Sequence, residues 1–474
     1  MSPRSPQSPS VLSSAPKTAA RAALAGVLLT LTACQDPHEK DKEAVLTTST
    51  GGTTAPPTPT SSGGVDTTTS SHTTTEDSST TVDTTTSGTT ADTTGTSGDS
   101  TTTDGTGDTT DTGAVEPPPE CTEHADCASE ACKILEGKCF DEDYVMVVKK
   151  GDAGPDCNDN YKTSDPFCDV NVAIQHAIVT ASSYDWVIRV EEGEYSLNGG
   201  NDISAELTGD LAIIAAPSEG KKYVPIDDTT SLFDIKAGSN TVYIDGFDLS
   251  RVGIGQVPII ESEGGNLVIT NSIVHGSKNA PGLSVKDTNV SLKGVAIHSN
   301  SWAVVADGGN HDAENTLITG NGNGETEGGG LKLTGGTFVG NYVTILDNRN
   351  TGNILSGNAD SMQCDGTSGT VRNSVIAQYE DSIRASAKCP AVVYKRSLLD
   401  EEKGPSNVLK ASANIANLFT LQDGVAKWKA DWNFPEAMPA VWESGDPTED
   451  YLGNLRPTIK GTQDYPGATR YFKP

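Results

Sequence analysis

A short segment that ends on an aliphatic residue recurs seven times along the middle of the chain, at intervals of 21 to 31 residues. We call this final aliphatic residue the landmark. The mean interval of about 25 residues is typical of a solenoid, in which each coil buries its inward side chains against the next coil. Asn and Gly stand at most of the turns, so the repeat predicts an all-β solenoid. The landmarks are Leu249, Val274, Ile297, Ile318, Ile345, Ile376 and Leu399.

Two other repeat folds fit the sequence poorly. A β-propeller blade needs about four strands in 40 or more residues, and the interval is too short to supply them. Leucine-rich repeats share the period, but the chain lacks their Leu-x-x-Leu-x-Leu pattern. Three asparagines, Asn300, Asn321 and Asn348, each stand three residues after a landmark. This position predicts a left-handed turn conformation and a partial ladder of stacked asparagine side chains.

The residues before the repeats contain a helix pattern followed by a strand. Asp169 can cap a helix in which apolar residues recur on one face between residues 170 and 181. The strand Trp186–Val190 follows, then Gly193 and Tyr195. This order resembles the opening of bacterial right-handed parallel β-helix proteins of the pectin-lyase-like superfamily, over about residues 144–474. The resemblance implies a right-handed parallel β-helix over residues 144–418, with the helix capping its first coil.

Residues 419–474 form the most aromatic part of the chain and hold nine of its 25 aromatic residues. We interpret them as a C-terminal cap whose rings cover the last coil. The alternative is a platform on which sugar rings stack. The motifs Asp450-x-x-Gly453-x-x-Arg456-Pro457 and Asp464-x-x-Gly467-Ala468 resemble the closing motif of many secreted bacterial β-helix domains, although the second match is imperfect. That resemblance implies the cap.

The N-terminus has the layout of a secretory signal, in which three basic residues precede an uncharged run over residues 22–31. Ten residues are too few to cross about 30 Å of hydrocarbon as a helix. Leu31-Thr32-Ala33-Cys34 resembles the end of a bacterial lipoprotein signal, which implies removal of residues 1–33 and a lipid anchor on Cys34. An ordinary cleaved signal is the alternative. Gln35 stands where some lipoproteins carry an inner-membrane retention Asp, so we expect anchoring in the outer membrane, on its periplasmic or cell-surface face.

A long polar segment, residues 34–120, separates this signal from the rest of the chain. Residues 47–112 contain 30 Thr in 66 positions, with Ser, Gly and Asp making up most of the remainder. Such a composition buries too little apolar surface to offset the entropy of ordering the chain. The segment is therefore predicted to be a disordered tether, either as a bare spacer or with O-linked glycans.

Residues 121–143 are predicted to be a small disulfide-rich collar, because four cysteines in so short a segment cannot bury a core of their own. The spacing lacks the close cysteine pairs and histidines of a zinc site, and a secreted protein meets an oxidising compartment. Eight cysteines allow 105 pairings. Proximity in sequence suggests two bridges in the body of the chain and internal pairing in the collar. The eight residues are Cys121, Cys127, Cys132 and Cys139 of the collar, then Cys157 with Cys168, and Cys364 with Cys389.

The net charge of −31 argues against a nucleic-acid partner, since phosphate binding needs a basic surface. Residues 121–474 alone hold 49 acidic and 28 basic residues, which would repel a polyuronate unless a metal intervened. The Gly-His-Gly and Arg-Ile-Lys motifs of polygalacturonase-like hydrolases do not occur. The one Asp-Asp pair, Asp227-Asp228, precedes the regular repeats, and Arg384 and Lys388 are the cations a lyase would have available.

His275 and His298 each directly follow a landmark, so stacking of the coils would place them about 4.8 Å apart on the outer surface. Such a pair could bind a metal or act as acid and base, or could simply be two solvated residues. Lys293 and Glu314 fall in register in the same way and are interpreted as a surface pair. A weak Ca²⁺ site is conceivable at Asp152, Asp156 and Asp159, which lack the spacing of an EF-hand.

These features favour a monomeric cell-envelope lipoprotein, anchored through Cys34, that displays a parallel β-helix for non-catalytic binding or adhesion to glycans or another cell surface. Ca²⁺ is the one cofactor that the sequence suggests. The alternative is a carbohydrate-active enzyme, a polysaccharide lyase or a glycoside hydrolase, with its site on the outer face of the solenoid. A groove of converging carboxylate, His or Lys side chains would favour the enzyme.

Overall fold

The structure, a computed structural model, describes the part of the chain that begins at residue 120. The signal, Cys34 and the tether therefore lie outside the described residues, as do Cys157 and the three aspartates of the suggested Ca²⁺ site. The described residues are 120–122, 124–150, 166–180, 184–197, 201–203, 207–217, 222–322, 328–349, 361–377, 386–399, 409–410, 418–429 and 440–470.

The collar has two single-turn 3₁₀ helices, His124–Asp126 and Glu142–Tyr144, and two short antiparallel strands, β1 (Cys132–Lys133) and β2 (Lys138–Cys139). Two disulfides hold it, Cys121–Cys132 and Cys127–Cys139. The collar cysteines thus pair with one another.

The body of the chain is one helix and a long series of parallel strands. The helix is α1 (Val170–Thr180). The strands are β3 (Val145–Val148), β4 (Trp186–Glu191), β5 (Tyr195–Ser196), β6 (Asn201–Ile203), β7 (Leu211–Ala216), β8 (Val224–Asp228), β9 (Phe233–Asp245), β10 (Phe247–Arg251), β11 (Ile260–Thr270), β12 (Ile273–His275), β13 (Leu283–Lys286), β14 (Asn289–Lys293), β15 (Ala296–His298), β16 (Trp302–Asp307), β17 (Asn310–Glu314), β18 (Leu317–Thr319), β19 (Gly329–Thr334), β20 (Thr337–Asn341), β21 (Thr344–Leu346), β22 (Met362–Asp365), β23 (Ser368–Arg372), β24 (Val375–Ile376), β25 (Ala387–Lys388), β26 (Ala391–Lys395), β27 (Leu398–Leu399) and β28 (Leu409–Lys410).

Each regular coil contributes one strand to each of three faces. The first face contains β6, β13, β16, β19, β22 and β25, and the second contains β3, β4, β7, β14, β17, β20, β23 and β26. Strands β9 and β11 are long enough to belong to both, so these two faces form one 16-stranded sheet. The third face is a separate ten-stranded sheet that runs from β5 to β28. The strands of all three faces pair in parallel, which confirms the predicted all-β parallel solenoid.

The seven landmarks stack directly on one another along the third face. Leu249 pairs with Val274, and this continues without a shift to Ile376 and Leu399. All seven side chains are at most 2% exposed. Insertions of different length between the coils therefore loop out without disturbing the register.

The residue three positions before each landmark has a positive φ, between 45° and 79°. This row makes the turn from the second face to the third. Asn and Gly tolerate such a conformation, and they occupy five of the seven positions. Tyr342 and Arg396 occupy the other two. The row consists of Gly246, Asn271, Gly294, Asn315, Tyr342, Asn373 and Arg396.

The predicted asparagine ladder is present, but the predicted backbone conformation is wrong. The Oδ1 of Asn321 accepts from the backbone N–H of Asn300, and Asn348 does the same for Asn321, at 3.1 Å in both cases. The left-handed residue is the one before each asparagine, for example Ser299 before Asn300. The asparagines are buried and bond backbone groups of neighbouring coils, so it is their side chains rather than their backbone that the position requires.

Helix α1 and one disulfide secure the body of the solenoid. The Oδ1 of Asp169 accepts from the backbone N–H of Asn171, as expected of a cap, and the apolar stripe of α1 packs into the main core against β3, β4 and β6. A disulfide joins Cys364 and Cys389 on neighbouring coils. Cys168 is also disulfide-bonded.

Within the described residues, none of the helices has the length and apolarity needed to cross a membrane.

The described residues of the C-terminal segment pack against outward side chains of several coils of the third face. The sequence predicted a cap over the last coil. The strands of this segment are β29 (Phe419–Gln422) and β30 (Val425–Trp428), which form a hairpin, and β31 (Ala440–Val441) and β32 (Gln463–Asp464), which pair with each other. Phe419 and Trp428 pack in one cluster with outward side chains of several coils of the third face. The reason is that many positions directly before a landmark are apolar and point outward, so this face needs a cover. Those apolar positions are Ile273, Ala296, Leu317, Val375 and Leu398.

Candidate functional site

A cleft with a volume of about 500 Å³ lies where three parts of the protein meet. One wall is the collar, the other is residues 447–451 of the C-terminal segment, and the floor is the corner between the second and third faces. We call it the junction cleft. Volumes of this size are typical of small-molecule sites.

The floor of the junction cleft is a column of outward side chains in exact register. Thr270, Lys293 and Glu314 come from β11, β14 and β17 and pair with one another in sequence. Beside them run Asn271, Gly294 and Asn315 of the left-handed row. Since neighbouring strands lie about 4.8 Å apart, the floor offers polar groups at regular steps along roughly 10 Å.

Lys293 and Glu314 are in register as predicted, but they line this cleft and do not form an open surface pair. Both are half-buried. Burial raises the pKa of the Glu314 carboxyl, and the positive charge of Lys293 opposes that rise without cancelling it. The cleft floor therefore places a lysine in register with a carboxyl group whose pKa is raised.

The collar contributes His124, whose ring is held in one orientation. Its Nδ1 accepts a hydrogen bond from the backbone N–H of Cys132 at 2.9 Å. Burial lowers the pKa of His124, while Asp245 acts in the opposite direction. In the neutral ring, Nε2 must therefore carry the proton and act as a donor. Nε2 has no hydrogen-bond partner among the described residues, and the nearest Asp245 oxygen is 3.9 Å away.

The C-terminal wall is fixed to the solenoid by polar contacts. The Asn315 side chain donates to the carbonyl of Glu449 at 2.6 Å. Lys222 lies over the rings of Tyr451, at 4.7 Å, and Tyr223, at 5.2 Å, while the two tyrosine hydroxyls are 3.2 Å apart. Cation–π contacts of this kind keep a lysine in place at the edge of the cleft.

The structure also brings His275 and His298 together, away from the junction cleft. Their rings stack with centroids 4.9 Å apart and an interplanar angle of 13°. The Nε2 of His275 is 2.8 Å from Asp248 Oδ1. His298 is covered by Gly424 at the tip of the β29–β30 hairpin, so the two rings are not a freely solvated pair.

Geometry for a metal ion is poor in the part of the chain that the structure describes. A single group of at least three potential ligands lies close together there: Cys121, Cys127 and Cys132. All three are in disulfides and have no thiolate to offer. Asp228, the second residue of the Asp-Asp pair, accepts hydrogen bonds from Thr229 and Thr230 and so stabilises the turn that follows it.

The aromatic residues described in the C-terminal segment pack inward and do not form an open sugar-stacking platform. Phe419, Trp428, Trp442 and Tyr451 are each less than 9% exposed. Trp432, Phe434, Tyr471 and Phe472 lie outside the described residues, as does Arg384.

The closing motif has a structural role in the C-terminal segment. Arg456 forms a buried ion pair with Asp464 at 3.0 Å, and its guanidinium lies 3.8 Å from the ring centroid of Tyr342. Asp450 accepts from the backbone N–H groups of Leu452 and Asn454.

The junction cleft was not found from the sequence. The register of Lys293 and Glu314 was a usable signal for its floor. His124 and Tyr451 gave none, because they come from segments about 330 residues apart that meet only in the folded protein.

Comparison with known proteins does not assign this chain to a family. No family model matches it, and neither does any curated protein. Among solved structures, it is similar to a rhamnogalacturonan lyase, with 11% sequence identity and a TM-score of 0.25 over 62% of this chain and 96% of the other. At that TM-score the likeness carries no weight for function, and the fold assignment rests on the strand pairing described above.

Proposed function

We propose that this protein is a cell-envelope lipoprotein that displays a parallel β-solenoid and binds a carbohydrate in the junction cleft. The junction cleft is the observation that carries the proposal. It combines a regular polar floor with the side chains of His124 and Lys293. Sugar hydroxyls are both donors and acceptors, and they suit such a mixture of groups better than an apolar ligand does.

The walls of the cleft support binding because they are rigid. Two disulfides fix the collar wall, and hydrogen bonds fix the C-terminal wall to the floor. A site that is ordered before the ligand arrives loses less entropy on binding.

Binding should be tested with the full chain, purified in detergent, against a panel of acidic and neutral glycans. We expect Lys293→Met to weaken binding of the retained glycan by at least about tenfold, since the proposed hydrogen bond from the charged ammonium group to the glycan is lost. Lys286→Met is the matched control, because Lys286 pairs with Glu263 on the exposed first face. Equal effects of the two substitutions, or retention of no glycan, would contradict the proposal.

Enzymatic activity is the second candidate, and one observation favours it. The raised pKa of Glu314 suits a carboxylic acid that donates a proton to a leaving group. The test is incubation of the same glycans with the protein, with and without Ca²⁺, followed by size analysis. Depolymerisation that Glu314→Gln abolishes would establish an enzyme, whereas retention of intact glycan supports binding alone.

A further inference from the structure

The hairpin of residues 418–429, which we call the strap, closes over the outer side of the third face. The rings of Phe419 and Trp428 pack with centroids 4.1 Å apart at an angle of 36°, and both residues belong to one buried cluster with Ala296 and Leu317. Its tip is Asp423-Gly424, both with positive φ. The strap therefore covers apolar surface that would otherwise face water.

The tip of the strap is seated on the imidazole of His298. A Cβ on residue 424 would clash with that ring, so only glycine fits there. The hydroxyl of Thr319, on the next coil, donates to the carbonyl of Gly424. The strap tip and the His298 ring are therefore in direct contact when the strap is closed.

Three titratable groups face His298 in the described structure. His275 on β12 stacks against it at 4.9 Å, Asp248 on β10 is hydrogen-bonded to His275, and Asp423 comes from the tip of the strap. Burial under the strap lowers the pKa of His298 to about 4, with His275 adding to the effect and the two carboxylates opposing it.

The closed strap therefore disfavours the protonated ring. A solvated histidine has a pKa near 6.5, so the open form binds a proton more readily than the closed form. The contribution of His298 to closure is fully present above that pH and is lost as the pH falls towards 4. Over that range the balance shifts towards the open form by up to about 300-fold.

We propose that the strap is an acid-released latch, which holds the C-terminal segment closed at neutral pH and opens when the His298 ring under its tip becomes charged. The latch also reaches the junction cleft. Trp428 donates to the carbonyl of Thr469, and the neighbouring Ala468 carbonyl accepts from Tyr451 in the cleft wall. Acid release of a ligand from the cleft follows, and this last step rests on the proposed function.

Hydrogen exchange measured by mass spectrometry tests the latch without any ligand. The full chain in detergent is compared at pH 7 and pH 4.5, after correction for the intrinsic exchange rate. We expect exchange of the 418–429 peptide to rise at least about tenfold at pH 4.5, while peptides from β16 and β19 stay protected. Equal strap protection at both pH values overturns the latch, and so does opening of the strap together with β16.

Two substitutions should move the latch in opposite directions. His298→Gln cannot be charged, so its strap should stay protected at pH 4.5. Gly424→Ala should keep the strap open at pH 7, because the added methyl meets the His298 ring. His124→Asn is the control, since the pKa of His124 is also lowered but the residue lies in the collar. Wild-type acid opening in His298→Gln, or its loss in His124→Asn, overturns the assignment.

The link to the cleft is tested by measuring binding of the retained glycan at the same two pH values. Release at pH 4.5 that His298→Gln prevents supports the link. Binding that stays constant while the strap opens overturns it and leaves the latch standing. Absence of glycan binding at every pH counts against the proposed function alone, because the exchange measurement does not use a ligand.

Discussion

At the scale of single residues, asparagine side chains form two hydrogen-bonded ladders in this solenoid. One ladder is buried behind the third face, where each side-chain amide donates to a backbone carbonyl of the preceding coil. A second ladder lies exposed at the start of the second face, where water can serve the same groups. The buried ladder is Asn300, Asn321 and Asn348; the exposed ladder is Asn266, Asn289 and Asn310.

The two ladders allow a matched test of burial. Asn321 donates to the Ile297 carbonyl at 3.0 Å and to Asn348 Oδ1 at 2.9 Å, with no exposed surface. We expect Asn321→Ala to lower the free energy of unfolding by about 2–4 kcal/mol, because buried backbone groups lose their partners. Asn310→Ala should cost less than about 1 kcal/mol, since its groups meet water. Denaturant titration of both variants checks this, and equal losses would contradict it.

At the scale of elements, the collar docks on the second face as a small preformed unit. Phe140 meets Tyr243 edge to face at 5.7 Å, and Lys133 reaches Asp185 at 2.6 Å and Asp210 at 2.9 Å. Burial would lower the pKa of Lys133, but hydrogen bonds to the two carboxylates outweigh it and raise the pKa above its ordinary value. We call the ion pairs of Lys133 with Asp185 and Asp210 the clamp. Because the pKa of Lys133 is raised, the clamp stabilises docking of the collar at all pH values below the ordinary lysine range, which includes neutral pH.

Removal of this clamp should loosen the collar. Lys133→Met leaves Asp185 and Asp210 without their cation, and we expect local opening of residues 124–144 to increase by about tenfold to a hundredfold. Lys138→Met is the control, because its pairing with Glu136 is exposed and contributes little. Hydrogen exchange of collar peptides measures both. A collar that opens equally in the two variants would show that Lys133 does not hold it.

The sequence predicts the contacts between neighbouring coils. It does not predict the contacts that the collar and the C-terminal segment make with the solenoid. Landmarks such as Val274 and Ile297 repeat about every 25 residues, so the register follows from the sequence. The contact of Tyr451 with Tyr223 has no such period. One local signal did exist: Ala296 and Leu317 directly precede landmarks and point outward, and apolar residues there indicate that something covers the face. What covers it depends on the fold of a distant segment, which periodicity does not encode.

At the scale of the whole molecule, the net charge bears on the membrane anchor that we propose. The net charge of −31 repels anionic surfaces, so association with a membrane needs a covalent anchor. The segment predicted to be the tether ends at residue 120, two residues before Thr122 in the cleft wall. The cleft is therefore built close, along the chain, to the segment that we predict to be the tether.

This proposed anchoring predicts where the protein fractionates. Cys34→Ser should move it from membranes to the soluble fraction, because in this proposal the Cys34 thiol carries the lipid, and none of the described helices is long and apolar enough to cross a membrane. Gln35→Asp should keep the anchor but retain the protein in the inner membrane, which density separation of the two membranes detects. Continued membrane association of Cys34→Ser would disprove the anchor. Unchanged glycan retention by the released variant would show that the cleft binds independently of the lipid, as a site built wholly from residues 120–470 should.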